Sequence, residues 1–120
     1  MFLMRFTERA YTNYTEEDVR NSPNEAVRLT FSNSHLDPQV ASRQYNEYLD
    51  EYEYSEEMGF DGLMLNEHHN TPTCLGATMN LEAAILARIT KKSKIVLLGN
   101  PLPILDNPLR LAEELAEIDM

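Results

Sequence analysis

The residues best suited to chemistry stand together at Asn66-Glu67-His68-His69, directly after the short apolar run Gly62 to Leu65. Two imidazoles and a carboxylate offer proton transfer near neutral pH, since a free histidine titrates at about 6.5. The same side chains are metal ligands in kind. Zinc takes three or four protein ligands, however, and the only other histidine and thiol, His35 and Cys74, sit at no recognisable ligand spacing. Adjacent residues of an extended chain point to opposite sides, so His68 and His69 are not expected to serve one centre. A plain hydrogen-bonding role stays open for each. Cys74 has no base at a diagnostic spacing and reads as an inert, packed thiol.

A second stretch, Gly99-Asn100-Pro101-Leu102-Pro103, leaves the apolar run Ile95 to Leu98. Glycine lets a ligand approach the backbone closely, and two prolines stiffen the path beyond it. A wall for a planar cofactor and a simple connection aimed at Asn107 fit this stretch equally well. No GxGxxG or Walker-type loop occurs, so dinucleotide and nucleoside-triphosphate motifs do not apply. Tyr45, Tyr48 and Tyr52 stand at helical spacing and predict one packed face. Asp50, Glu51, Glu53, Glu56 and Glu57 read as a solvated helix surface rather than an acid/base pair.

The elements that must carry these residues are strands alternating with helices. Met1 to Phe6 is expected to be a short buried strand, followed by a polar, irregular stretch to His35 in which Val27 to Phe31 adds a brief strand. Asp37 and Pro38 combine an N-cap carboxylate with an N1 proline and open a helix that runs to Met58, stopped by Gly59. Gly62 to Leu65 then reads as a strand buried on both faces. Asn66 to Met79 forms a loop, and Thr78 or Asn80 caps a helix over Leu81 to Ile89. The cations Arg88, Lys91 and Lys92 complement the negative end of that helix. Ile95 to Leu98 is a third strand, and Asn107-Pro108 opens a last helix through Ile118. This alternation predicts parallel βα units.

The bulk composition narrows the role. The 120 residues fit one domain, and 10 Lys plus Arg against 20 Asp plus Glu give a net charge of −10. Such a surface repels phosphate backbones and anionic membranes, so neither nucleic acid nor membrane is an expected partner. One cysteine allows no internal disulfide, which favours a reducing, cytoplasmic setting. The N-terminal apolar stretch is too short for a signal peptide, and no run approaches the ~20 apolar residues of a membrane span. A helical pattern still running at Asp119 and Met120 reads as a sequence cut short.

Taken in order, Gly59-Phe60-Asp61-Gly62, Asn66-Glu67-His68-His69, Leu98-Gly99-Asn100 and Asn107-Pro108-Leu109-Arg110-Leu111-Ala112-Glu113-Glu114 resemble the bacterial-luciferase-like flavin-dependent monooxygenases. The Asp37-Pro38 helix start and Tyr45-Asn46-Glu47-Tyr48-Leu49-Asp50 fit the same group. The resemblance spans about Ser34 to Met120 and lies nearest to the limonene- and alkanal-monooxygenase-like oxygenases. It implies an α/β fold in which residues 1–120 form the N-terminal part, about three βα units, of a luciferase-like TIM (β/α)8 barrel. It further implies reduced FMN supplied by a separate flavin reductase, and dioxygen used to oxygenate a small organic substrate. His68, Glu67 and His69 would be the catalytic residues, with His68 beside the flavin, and Asn66, Gly99 and Asn100 would bind the cofactor, with no metal. The complete protein would be a homodimer paired through the helices Leu81 to Ile89 and Leu109 to Ile118. An eight-stranded barrel needs about 250 residues, so the 120-residue chain is expected to be inactive alone. Three alternatives accompany this reading: a deazaflavin-dependent oxidoreductase of the same fold, a metal-dependent TIM-barrel hydrolase using Glu67, His68 and His69, and a non-catalytic flavin-binding or dimerisation remnant.

Overall fold

The computed structural model describes residues 1–22 and 30–120. Strand β1 (Met4–Phe6) leads through a loop to a short helix, α1 (Glu16–Arg20), and a 3-10 turn at Asn33–His35. The long helix α2 (Pro38–Glu57), strand β2 (Gly62–Leu65), helix α3 (Met79–Ile89), strand β3 (Lys94–Leu97) and helix α4 (Pro108–Asp119) follow. The three strands form one parallel sheet in the order β1-β2-β3. The chain is therefore a mixed α/β fold that adds strands side by side in sequence order. No helix among the described residues is long and apolar enough to cross a membrane.

The helix boundaries follow from local chemistry. Asp37 accepts hydrogen bonds from the amides of Gln39 and Val40 at 2.8 and 3.2 Å, with Pro38 at N1. At the other end Gly59 adopts φ +90°, the left-handed conformation that ends a helix with least strain in glycine. Asn107 caps α4 in the same manner as Asp37, through the amide of Leu109 at 3.0 Å. Helix α1 was not anticipated in the stretch read as irregular. Its start is a capping box in which Thr15 and Asp18 each accept the other's backbone amide.

Three other expectations are corrected. Only Met4–Phe6 of the first segment is a strand, and it is not buried: Phe2, Leu3 and Phe6 are exposed, because this strand pairs with β2 alone and lies at the sheet edge. Strand β3 is shifted one residue to Lys94–Leu97 and is only half-buried along its apolar part. Glu56 is no solvated surface acid. Its carboxylate accepts the backbone amides of Lys91, Lys92 and Ser93 at 2.8, 2.8 and 2.6 Å, binding the turn before β3 to the end of α2. Burial opposes its ionisation, but the three amides outweigh burial and hold the carboxyl at about 2. The strand expected over Val27 to Phe31 falls, except for Thr30 and Phe31, outside the described residues.

The core lies on one face of the sheet. Leu63 and Leu65 of β2 pack with Leu49 and Tyr52 of α2 and with Met79, Ala83 and Leu86 of α3, joined at the margin by Ile95, Leu97 and Ile118. Helix α3 packs against α2, β3 and α4, so the helices form a continuous layer. Alternation along the strands places Met4, Phe6, Met64 and Val96 on the opposite face. None of these four belongs to the core cluster, and Phe6 is exposed. The sheet is thus covered on one side and bears an open apolar row on the other.

Candidate functional site

Parallel pairing puts the carboxyl ends of all three strands at one end of the sheet. Thr7, Glu8 and Arg9 leave β1 there, Asn66 to His69 leave β2, and Leu98 to Asn100 leave β3. This is the end at which ligands bind in parallel α/β folds.

The centre of this end is Arg9, whose residue is fully buried and whose backbone has φ +52°. A left-handed, non-glycine residue is uncommon, and here it turns the side chain inward beneath the loops. Nη1 donates to Thr7 O at 2.9 Å and to Asn66 Oδ1 at 2.9 Å, while Nη2 donates to the Asn66 carbonyl. The Arg9 carbonyl accepts the Leu75 amide at 2.9 Å. A Cβ on Gly76 would lie 2.1 Å from Nη2, so only glycine leaves room for the guanidinium.

Arg9 Nε stands 2.9 Å from Glu82 Oε1 of α3, both side chains being essentially inaccessible. The charges touch, but no donor is aligned as a hydrogen bond onto either Glu82 oxygen. Burial pushes the Glu82 carboxyl up to about 7, with Arg9 opposing. Tyr52 closes this region from α2, donating to Met64 O at 2.9 Å. Burial raises its hydroxyl to about 12, against Arg9 and with Glu82. The Cys74 thiol lies 3.9 Å from Nη2 and is also raised by burial, as befits an unreactive sulfur.

Above this base sit the predicted residues, which the fold divides. His68 Nε2 lies 3.2 Å from Glu8 Oε2, and Asn66 Nδ2 donates to that same oxygen at 2.9 Å. His69 instead pairs through Nε2 with Glu67 Oε1 at 3.0 Å and is nearly half exposed. The other Glu67 oxygen accepts the Met79 amide at 3.1 Å, which makes Glu67 the cap of α3. Thr78, at the N-cap position, makes no side-chain cap bond, and the helix starts at Met79 rather than Leu81. So the two histidines diverge, as alternation requires, and each has its own carboxylate.

Asn66 is buried and both ends of its amide are engaged, the oxygen by Arg9 and the nitrogen by Glu8. Gly99 has φ +93°, and a Cβ built there would meet nothing within 4 Å, so the third strand ends in open space. Asn100 is half-buried next to it. Among the described residues no hydrogen bond ties Asn100 to the Asn66–His69 loop. Among them, too, no three His, Cys, Asp or Glu side chains converge as a metal-binding group. A cavity of about 660 Å³ lies elsewhere, between α3 and α4, and is lined by Asn80, Leu81, Arg110 and Glu114 among others.

Sequence reasoning missed Glu8, Arg9 and Glu82. The first two carry the same signal that singled out Asn66 to His69, namely polar residues directly after a strand. Glu82 carries none, since an acid in the first turn of a helix is ordinarily a solvated partner of the dipole. No protein-family model matches the chain, and no curated protein or solved structure matches it at a significant level.

Proposed function

We propose that these three βα units belong to a TIM barrel of luciferase-like type, which acts as a flavin-dependent monooxygenase on a small organic substrate. The observation that carries the reading is the placement of His68 at the carboxyl end of β2, next to an apolar sheet face that no core residue covers. In a barrel that open face becomes the packed interior, and the helix layer becomes the outer ring. Addition of strands in sequence order, with no reversal, supports a barrel over a doubly wound sheet.

The residues present fit a planar cofactor at the end of β3. Gly99 leaves clearance for a ring against its backbone, and Asn100 provides an amide beside it. Asn66 contributes by shaping the floor, since its amide is already engaged by Glu8 and Arg9. Reduced FMN, when bound, supplies the electrons that activate dioxygen. His68 holds or moves a proton at the substrate side, and the apolar row of Met64 and Val96 keeps water from the floor of the site. A closed barrel of this type takes eight βα units, and activity is expected where the barrel is complete.

Anaerobic titration of reduced FMN into this chain and into a version completed to eight βα units tests the proposal. Tight binding by the completed protein, with His68→Ala slowing oxygenation more than it weakens flavin binding, is the expected result. A completed protein that ignores flavin refutes it.

A further inference from the structure

We propose that the two open edges of the sheet are complementary, and that the chain binds a second copy of itself edge to edge, β3 of one copy pairing in parallel with β1 of the next.

Strands β1 and β3 each pair with β2 alone, so each leaves one edge unpaired. Which backbone groups those edges present follows from the bonds on the inner side. Lys94 donates its amide to Asp61 O at 3.0 Å, and Leu98 donates to Leu65 O at 2.8 Å. Alternate residues of a strand direct both N–H and C=O to the same side, so Ile95 and Leu97 direct theirs away from β2. On β1 it is Leu3 that faces β2. Its carbonyl accepts the Asp61 amide at 2.8 Å, and its own amide donates to Asp61 Oδ2 at 2.7 Å. Met4 and Phe6 therefore direct their N–H and C=O outward.

The two edges run in the same direction and their outward groups are in phase. In the register that sets Val96 beside Phe6 of the second copy, Ile95 N–H meets Met4 O, Phe6 N–H meets Ile95 O, and Leu97 N–H meets Phe6 O. The same register carries the apolar row of Phe6, Met64 and Val96 on into the next copy. Side chains on the other face agree. Helix α4 stands off β3 and leaves a slot of about 520 Å³, lined by Ile95, Leu97, Leu115 and Asp119 among others. Leu3 and Arg5 share the face of β1 that enters this slot, so an exposed leucine meets its apolar wall and a cation approaches Asp119. The edges also differ in charge. Lys91, Lys92 and Lys94 are exposed where β3 begins, whereas Glu51 and Asp61 are exposed beside β1. In a chain of net charge −10, the lysine edge is where a second copy meets least repulsion. Because unlike edges meet, the contact is heterologous: each pair still offers one edge of each kind, and association continues until a ring closes.

Sedimentation velocity of the 120-residue chain over a wide range of concentration tests this without flavin, so its outcome is separate from that of the monooxygenase reading. The mass is expected to rise with concentration in steps of 13.8 kDa and to pass beyond two chains. Met4→Pro and Ile95→Pro each remove an outward N–H that β2 does not use, and set a ring where the second strand has to come. Each variant alone is expected to stay monomeric. An equal mixture of the two retains one intact edge of each kind and is expected to form a pair and nothing larger. Phe6→Lys on β1 and Leu115→Glu in the slot, both at exposed side chains, take the place of a proline variant that does not fold. A wild-type chain that is monomeric throughout overturns the proposal, as does a mixture of folded variants that does not associate. A pair that every variant retains overturns it too, and moves the contact to the helices.

Discussion

Replacing Glu82 with Gln isolates the cost of hiding a carboxyl beneath the site. In the folded chain burial raises this carboxyl from 4.5 to about 7, and Arg9 offsets only part of the effect. Below pH 4.5 the group is protonated whether the chain is folded or not. Between 4.5 and about 7 the unfolded chain releases this proton while the folded chain keeps it. The folded state then binds more protons, so stability falls as pH rises through this window and levels off above it. A change from 4.5 to about 7 corresponds to about 3 kcal/mol. In a domain of this size that is on the order of 10 °C in Tm. Glu82→Gln has no proton to lose, and its amide can be met by Arg9 without a change of charge. Urea unfolding of both proteins at pH 4.5, 6 and 8 gives the comparison. Wild type loses about 3 kcal/mol relative to Glu82→Gln between the first and last of these. Parallel stability curves refute the reasoning and mean that Arg9 keeps Glu82 ionised throughout.

Two further perturbations test the frame that holds the site. Glu56→Ala frees three backbone amides of the Lys91–Ser93 turn and is expected to destabilise the chain by about 1–3 kcal/mol at pH 7. Because the folded carboxyl is held at about 2, this stabilisation is full above 4.5 and is lost as pH falls towards 2, so urea midpoints of the two proteins converge in acid. Gly62→Ala places a Cβ 2.6 Å from Met4 Sδ and 2.8 Å from Lys94 O, between β1 and β3. The methionine can move but the carbonyl cannot, and a loss of about 1–3 kcal/mol by thermal melting is expected.

The helices that begin with an aspartate or asparagine followed by proline were legible because their start signals are local. Asp37-Pro38, Gly59 and Asn107-Pro108 each act within a few residues of their own position. Strand β2 was legible for the same reason, since Gly62 to Leu65 is a short apolar run bounded by polar residues, but it is packed only on the Leu63 and Leu65 face and not on both faces as expected. The edge strand β1 was misjudged because apolar side chains do not say whether anything covers them. Glu56 was misread because its partners lie 35 to 37 residues away, beyond any periodicity. At the site, position after a strand found His68 and His69, and alternation separated them. What the sequence could not show is the choice of partners. Arg9 and Glu82 look like any two surface charges until the left-handed turn at Arg9 and the glycine at position 76 bring one beneath the other.

Helix α3 begins at an amide satisfied by Glu67, twelve positions upstream on the far side of the loop. Its own N-cap residue supplies no side-chain bond. The helix therefore cannot be lifted out as a portable part. A chimera that joins α3 to another strand and loop takes away the acceptor that defines its first turn, and a graft of the Glu67–His69 loop onto a different helix leaves that carboxylate with half its work undone. The smallest exchangeable module in this region is the strand, loop and helix together. Position 67 therefore carries the start of α3 whatever else it does, and its replacement is expected to weaken the first turn of that helix.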